Sequence, residues 1–123
     1  MLTLEPLAGL FSVCKVADYT QTNLKAPYCF IGRTGGENSL VCLTQDVPPN
    51  TTAREDGWRA FRVAGPLDFS LTGVLAGIAS QLAEGGIPLF ALSTFDTDYV
   101  LCKQAQFSTA LDLLSRAGYA IAD

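Results

Sequence analysis

The chain has 123 residues, 49% of them hydrophobic and only 16% charged, which is enough to bury a core and excludes disorder by composition. Its net charge of −4, with eight scattered Lys and Arg, argues against direct nucleic-acid binding, which needs basic clusters to neutralise phosphates. No apolar run approaches the ~20 residues of a membrane span. In chain order, Leu10 to Val16 reads as a strand, and Asp18 to Ala26 as one or two short helical turns. Tyr28 to Arg33 and Leu40 to Thr44 read as a hairpin around Gly35-Gly36. Pro48-Pro49 forbids a regular helix over Asp46 to Asn50. Polar Asn50 to Gly57 reads as a linker.

The second half has stronger periodicity. Trp58 to Ala64 alternates as a strand, and Gly65-Pro66 ends it. Leu71, Val74, Leu75, Ile78, Ala79 and Leu82 recur at helical spacing, with Asp68 or Ser70 able to cap the start and Gly85-Gly86 the end. Ile87 to Ser93 reads as a buried strand, Thr94 to Asp98 as a polar turn, and Tyr99 to Lys103 as the returning strand. Phe107, Ala110, Leu111 and Leu114 mark a second helix stopped by Gly118, with a last strand over Tyr119 to Ala122. This order, β-α-β-β-α-β, defines an α+β, ferredoxin-like unit. Phe30, Thr34 and Cys42 precede Phe90, Thr94 and Cys102 by sixty residues. That spacing suggests two tandem units, a degenerate one over 1–57 and a complete one over 58–123.

The absence of histidine removes the commonest general base and every Ser-His or Cys-His pair. An enzyme would have to use Asp96, Asp98, Lys103 or Tyr99, with no nucleophile-base pair at readable spacing. The expectation is therefore a non-enzyme. Cys14, Cys29, Cys42 and Cys102 form no C-x-x-C pair and read as buried thiols, with neither a metal nor another cofactor expected. With no signal sequence visible, the expected location is cytoplasmic.

Three segments in order carry a resemblance: Gly65-Pro66-Leu67-Asp68-Phe69-Ser70-Leu71-Thr72-Gly73, Leu82-Ala83-Glu84-Gly85-Gly86-Ile87-Pro88, and Ser93-Thr94-Phe95-Asp96-Thr97-Asp98-Tyr99. The chain resembles the ACT-domain group of small bacterial proteins, related to aspartate kinase regulatory domains and CASTOR-type arginine sensors. The resemblance implies side-by-side packing of ACT units, a homodimer, and a regulatory role with an amino acid bound between units. Carried onto this sequence, it implies ligand contacts at Asp68, Phe69, Ser70, Leu71, Thr72 and Gly73, at Gly86 and Ile87, and at Thr94, Phe95, Asp96, Thr97 and Asp98. CASTOR-type sensors carry twice as many units, so a second copy would have to supply half of such a site.

Each of these residues also has a purely structural reading. Asp is a common turn former, and Asp96 and Asp98 fit that role as well as they fit reception of a cationic ligand group. Ser70 and Thr72 could cap a helix or mark an anion-attracting helix start. Asp68 could do either job, and Phe69 reads as core or staple. The competing functional reading is a ligand-free module that oligomerises or binds a protein partner through sheet edges.

Overall fold

The computed structural model describes residues 2–68 and 71–123. Two compact units are present. One joins the N-terminal segment through Ala8 with Arg59–Asp123, and the other is Gly9–Trp58. These compact units differ from the expected division at 57/58 in grouping the segment through Ala8 with the second half.

The strands are β1 (Thr3–Pro6), β2 (Phe11–Val16), β3 (Cys29–Arg33), β4 (Asn38–Leu43), β5 (Thr51–Val63), β6 (Phe90–Ser93), β7 (Asp98–Lys103) and β8 (Ala120–Ile121). The helices are α1 (Val74–Glu84) and α2 (Gln104–Arg116), with a 3₁₀ turn over Thr44–Asp46. In the larger unit the strands run β6-β7-β5-β1-β8. This is the expected β-α-β-β-α-β order with one addition: β1 lies between the first and last strands, antiparallel to β5 and parallel to β8. Leu4 of β1 is wholly buried with Phe61 and Val63 of β5, Val100 and Cys102 of β7, and Ile78, Leu82, Phe107, Ala110 and Leu114 of the helices. Both helices thus bury their apolar stripe on one face of this sheet.

α1 begins three residues later than its apolar periodicity predicts. Gly73 sits at φ +75°, in the left-handed region, so helical geometry cannot extend back through it, and no side chain among the described residues caps the helix. Asp68 lies too far upstream to cap it. The C-terminal stop is as expected: Gly86 takes φ +71°, and its N–H and that of Ile87 bond back to Ala83 and Leu82.

In the smaller unit the order is β3-β4-β2-β5, with β5 contributing its residues up to Trp58. Its core is Cys14, Val16, Leu40 and Cys42, flanked by Tyr19, Cys29 and Val47. Two expectations fail here, and the exclusion of a regular helix before Pro48-Pro49 holds. Asp18 to Ala26 forms turns rather than helix, pinned by Asp18 accepting from the Thr20 N–H and by the Asn50 amide donating to the Asp18 carbonyl. The helix position before Pro48 holds only the 3₁₀ turn, which the prolines do not continue. The supposed linker Asn50 to Gly57 is mostly strand, because backbone pairing with β2 from Val16↔Thr51 to Phe11↔Trp58 holds it whatever its side chains. The pairing slips register between Phe11 and Val13, and Gly57 at φ +85° supplies the bulge conformation. Buried Ser12 donates to Asp56, which Arg54 grips at 3.1 Å.

The hairpin repeat has a direct structural counterpart. β4 and β7 begin and end sixty residues apart, and both hairpins close with the same bond, Thr34 N–H to Glu37 carbonyl at 3.0 Å and Thr94 N–H to Thr97 carbonyl at 2.9 Å.

Candidate functional site

The β5–α1 loop and the β6–β7 turn meet at one end of the larger unit. The Leu67 N–H donates to the Asp96 carbonyl at 2.7 Å, tying loop to turn. The Thr97 hydroxyl, in a buried side chain, donates to the Val63 carbonyl at 2.7 Å and anchors the turn on β5. Gly65 fits against this junction closely: a β-carbon there would lie 3.2 Å from the Asp96 carbonyl oxygen and from the Thr97 Cβ. These contacts leave a hollow of about 150 Å³ lined by Leu67, Asp68, Leu71, Val74 and the five residues Thr94 to Asp98.

Among the described residues the lining carries three carboxylates, Asp68, Asp96 and Asp98, and no Lys or Arg. Asp98 also accepts from the Ser93 hydroxyl across the hairpin. Phe95 is 80% exposed and Leu71 52% exposed, so the hollow combines acidic groups with exposed apolar surface. Such a site can receive a cation through charge-assisted hydrogen bonds while apolar groups cover its stem.

The resemblance-derived residues separate into groups. Asp68, Leu71, Thr94, Phe95, Asp96, Thr97 and Asp98 are brought together around the hollow. Thr97 spends its hydroxyl on Val63 rather than presenting it outward. Thr72 and Gly73 are exposed beside α1 and do not line the hollow. Phe69 and Ser70 lie outside the described residues. Gly86 and Ile87 sit at the opposite end of α1, where Gly86 ends the helix and Ile87 is buried in the core. Leu67 and Val74 join the lining without having been expected. Their place follows from the Leu67–Asp96 backbone bond, which leaves no mark in residue type.

A second depression of about 280 Å³ lies on the other side of the same junction, lined by Glu5, Arg62, Gly65, Pro66, Asp96, Thr97 and Tyr99. Arg62 Nε donates to Glu5 at 2.8 Å. Hydrogen bonds to Glu5 and Tyr99 make the Arg62 guanidinium even harder to deprotonate than usual. The alternation of Leu2 and Leu4 with Thr3 and Glu5 was the available signal for β1, which brings Glu5 here.

A family profile described as the ACT domain matches residues 53–116. The chain belongs to the ACT domain family. The rat cytosolic arginine sensor for mTORC1 subunit 1 is 34% identical over 67 residues, which make up 54% of this chain and 20% of the sensor. The human sensor is 33% identical, also over 67 residues. The chain thus matches about a fifth of the length of these relatives. Among solved structures, protein Atu0741 from Agobacterium tumefaciens superposes with a TM-score of 0.86 at 30% identity, over 98% of this chain and 92% of that one. The ligand-free regulatory subunit of aspartate kinase from Thermus thermophilus gives a TM-score of 0.64 at 9% identity, over 94% and 96%. At that identity the likeness is one of fold. This ACT protein therefore shares its architecture with aspartate kinase regulatory chains, and part of its sequence with an amino-acid sensor.

Proposed function

We propose that this ACT protein is a non-catalytic sensor that binds an amino acid with a cationic side chain in the hollow between the β5–α1 loop and the β6–β7 turn. The observation that carries this reading is the hollow's lining among the described residues: three aspartates, exposed Phe95 and Leu71, and no basic residue. Asp96 and Asp98 receive the cationic head, and Leu71 and Phe95 cover the aliphatic stem. The hollow lies largely within the region the family profile matches, and the likeness to the arginine sensors supports the same chemistry.

The hollow's roughly 150 Å³ is small against the ~300–1,000 Å³ of pockets that enclose most of a ligand. A second ACT unit, supplied by another copy of the chain, closes the site. Binding then shifts the balance between arrangements of the units, which is how a module without catalytic groups regulates a partner.

The test is thermal unfolding in the presence of each common amino acid. A ligand at 100 times its Kd adds about 2.7 kcal/mol of stability. The expected responders are arginine or lysine, with the response reduced in Asp96→Asn and Asp98→Asn. Absence of any shift across the panel at millimolar concentrations overturns the proposal. Unchanged affinity in both variants moves the site elsewhere.

A further inference from the structure

The smaller unit gathers three of the four cysteines around one cluster. Cys14 and Cys42 are buried in its core, Cys29 packs against them, and all are reduced thiols. Cys29 on β3 is the direct cross-strand partner of Cys42 on β4.

The register of this hairpin also fixes the type of pair. Hydrogen-bonded and non-hydrogen-bonded pairs alternate along an antiparallel ladder. The Thr34 N–H to Glu37 carbonyl bond makes the pair next to the turn a hydrogen-bonded one. Counting away from it through Arg33↔Asn38, Gly32↔Ser39, Ile31↔Leu40 and Phe30↔Val41, Cys29↔Cys42 falls at a non-hydrogen-bonded position. There the Cα atoms lie about 4.5 Å apart and the side chains converge. Disulfides accept Cα separations of ~4.4–6.8 Å. The second hairpin displays the same convergence: Ser93 and Asp98, one step from the corresponding bond, touch side chain to side chain. Cys14 is paired with Leu40, two residues from Cys42, and so is only a diagonal neighbour.

We propose that Cys29 and Cys42 are an oxidation site that hydrogen peroxide converts to a cross-strand disulfide. Cys29, half-buried on the outer strand, meets the oxidant first. The peroxide O–O bond breaks, the Cys29 sulfur becomes a sulfenic acid, and one water leaves. The Cys42 sulfur then attacks that sulfur. The S–O bond breaks, the S–S bond forms, and a second water leaves with the Cys42 proton. Cys42 is 2% exposed, which suits a resolving thiol that needs only its neighbour. Burial raises the pKa of both thiols, Cys42 to about 12, so the reaction is slower than that of an exposed thiol. The product covalently ties β3 to β4 and is reversible by dithiol reductants.

Trypsin separates all four cysteines, placing Cys29 in 26–33 and Cys42 in 34–54, with Cys14 in 1–15. The protein is treated with hydrogen peroxide, unfolded, alkylated, digested and weighed. The expected result is a dithiothreitol-sensitive species joining 26–33 to 34–54, with two of the four thiols lost. Cys29→Ser abolishes the linkage and Cys14→Ser retains it. Persistence of four free thiols, sulfinic acid on Cys29 without linkage, or a bond from Cys42 to Cys14 each overturns the proposal. The site lies in the Gly9–Trp58 unit, and its failure has no bearing on the ligand-binding proposal.

Discussion

Replacing Thr97 by Val tests how the turn is held. The side chain is 8% exposed, and its hydroxyl donates to the Val63 carbonyl at 2.7 Å. Valine keeps nearly the same shape but puts a methyl group where the donor was, so little packing is lost. A typical intramolecular hydrogen bond contributes a net ~0.5–1.5 kcal/mol, and a buried acceptor stranded by mutation costs ~1–3 kcal/mol. The expected destabilisation is therefore about 1–2 kcal/mol. For a chain of this size that corresponds to a fall in Tm of roughly 4–8 °C. Urea titration should show a lower midpoint at unchanged slope. Thr97→Ser, which retains the hydroxyl, should recover part of the loss. Thr97→Val should also weaken amino-acid binding, because the turn carrying Asp96 and Asp98 loses its anchor. A midpoint equal to or above that of the parent protein would refute the assignment of this bond as the anchor.

Three further outcomes follow from the packing. Gly86→Ala places a β-carbon at φ +71° and should cost about 1–2 kcal/mol in urea titration. Its ligand affinity should be unchanged, since Gly86 ends α1 away from the hollow; lost affinity at retained stability would return Gly86 to the site. Leu82→Ala removes a wholly buried side chain from the α1 face of the core and should cost ~2–5 kcal/mol, read by the same titration. Alkaline pH should destabilise the fold through its buried thiols. Burial raises Cys42 to about 12 and Cys102 to about 11 from an ordinary value of 9.0. The unfolded chain therefore loses these protons first, so stability is intact below pH 9 and falls as pH rises through the folded values. The combined effect is on the order of a few kcal/mol. Cys102→Ala should flatten the decline measured between pH 9 and 11, and an unaltered slope would exclude Cys102 as a contributor.

The elements legible in the sequence are those whose side chains answer to their own local period. α1 and α2 announce themselves by apolar residues three and four apart, and the β6–β7 hairpin by two apolar runs around a polar turn. What stayed hidden is made by backbone. Thr51 to Gly57 is strand because β2 offers it hydrogen-bonding partners, and its polar side chains look like a linker. Thr3–Pro6 is strand because a slot exists between β5 and β8, more than fifty residues away in the chain. The same division holds at the hollow. Its acidic residues were readable by type, and the family resemblance grouped them with Asp68 and Leu71. The Leu67–Asp96 bond that joins the two segments was not readable. Gly86 and Ile87 were grouped by resemblance as well, yet α1 carries them to its other end.

The two hairpins separate what folding requires of the β6–β7 turn from what it does not. Both turns span four residues and close with a Thr N–H bonded to the carbonyl three residues on. In both, the Thr hydroxyl accepts a further turn N–H, from Gly36 in one and Thr97 in the other. The first hairpin achieves this with Gly35 and Gly36 at its centre and Asn38 at the start of its return strand. The second places Phe95, Asp96 and Asp98 at the matching positions. A carboxylate at 96 or 98 is thus dispensable for the turn, and an aromatic ring that is 80% exposed contributes little to the core. Neutralising Asp96 or Asp98 should accordingly leave the unfolding free energy from urea titration within ~0.5 kcal/mol of the parent, as for surface substitutions generally, while reducing ligand affinity. If either substitution instead destabilises the free protein by the cost of a buried interaction, the acids serve the fold, and the strongest reason for placing a cationic ligand beside them disappears.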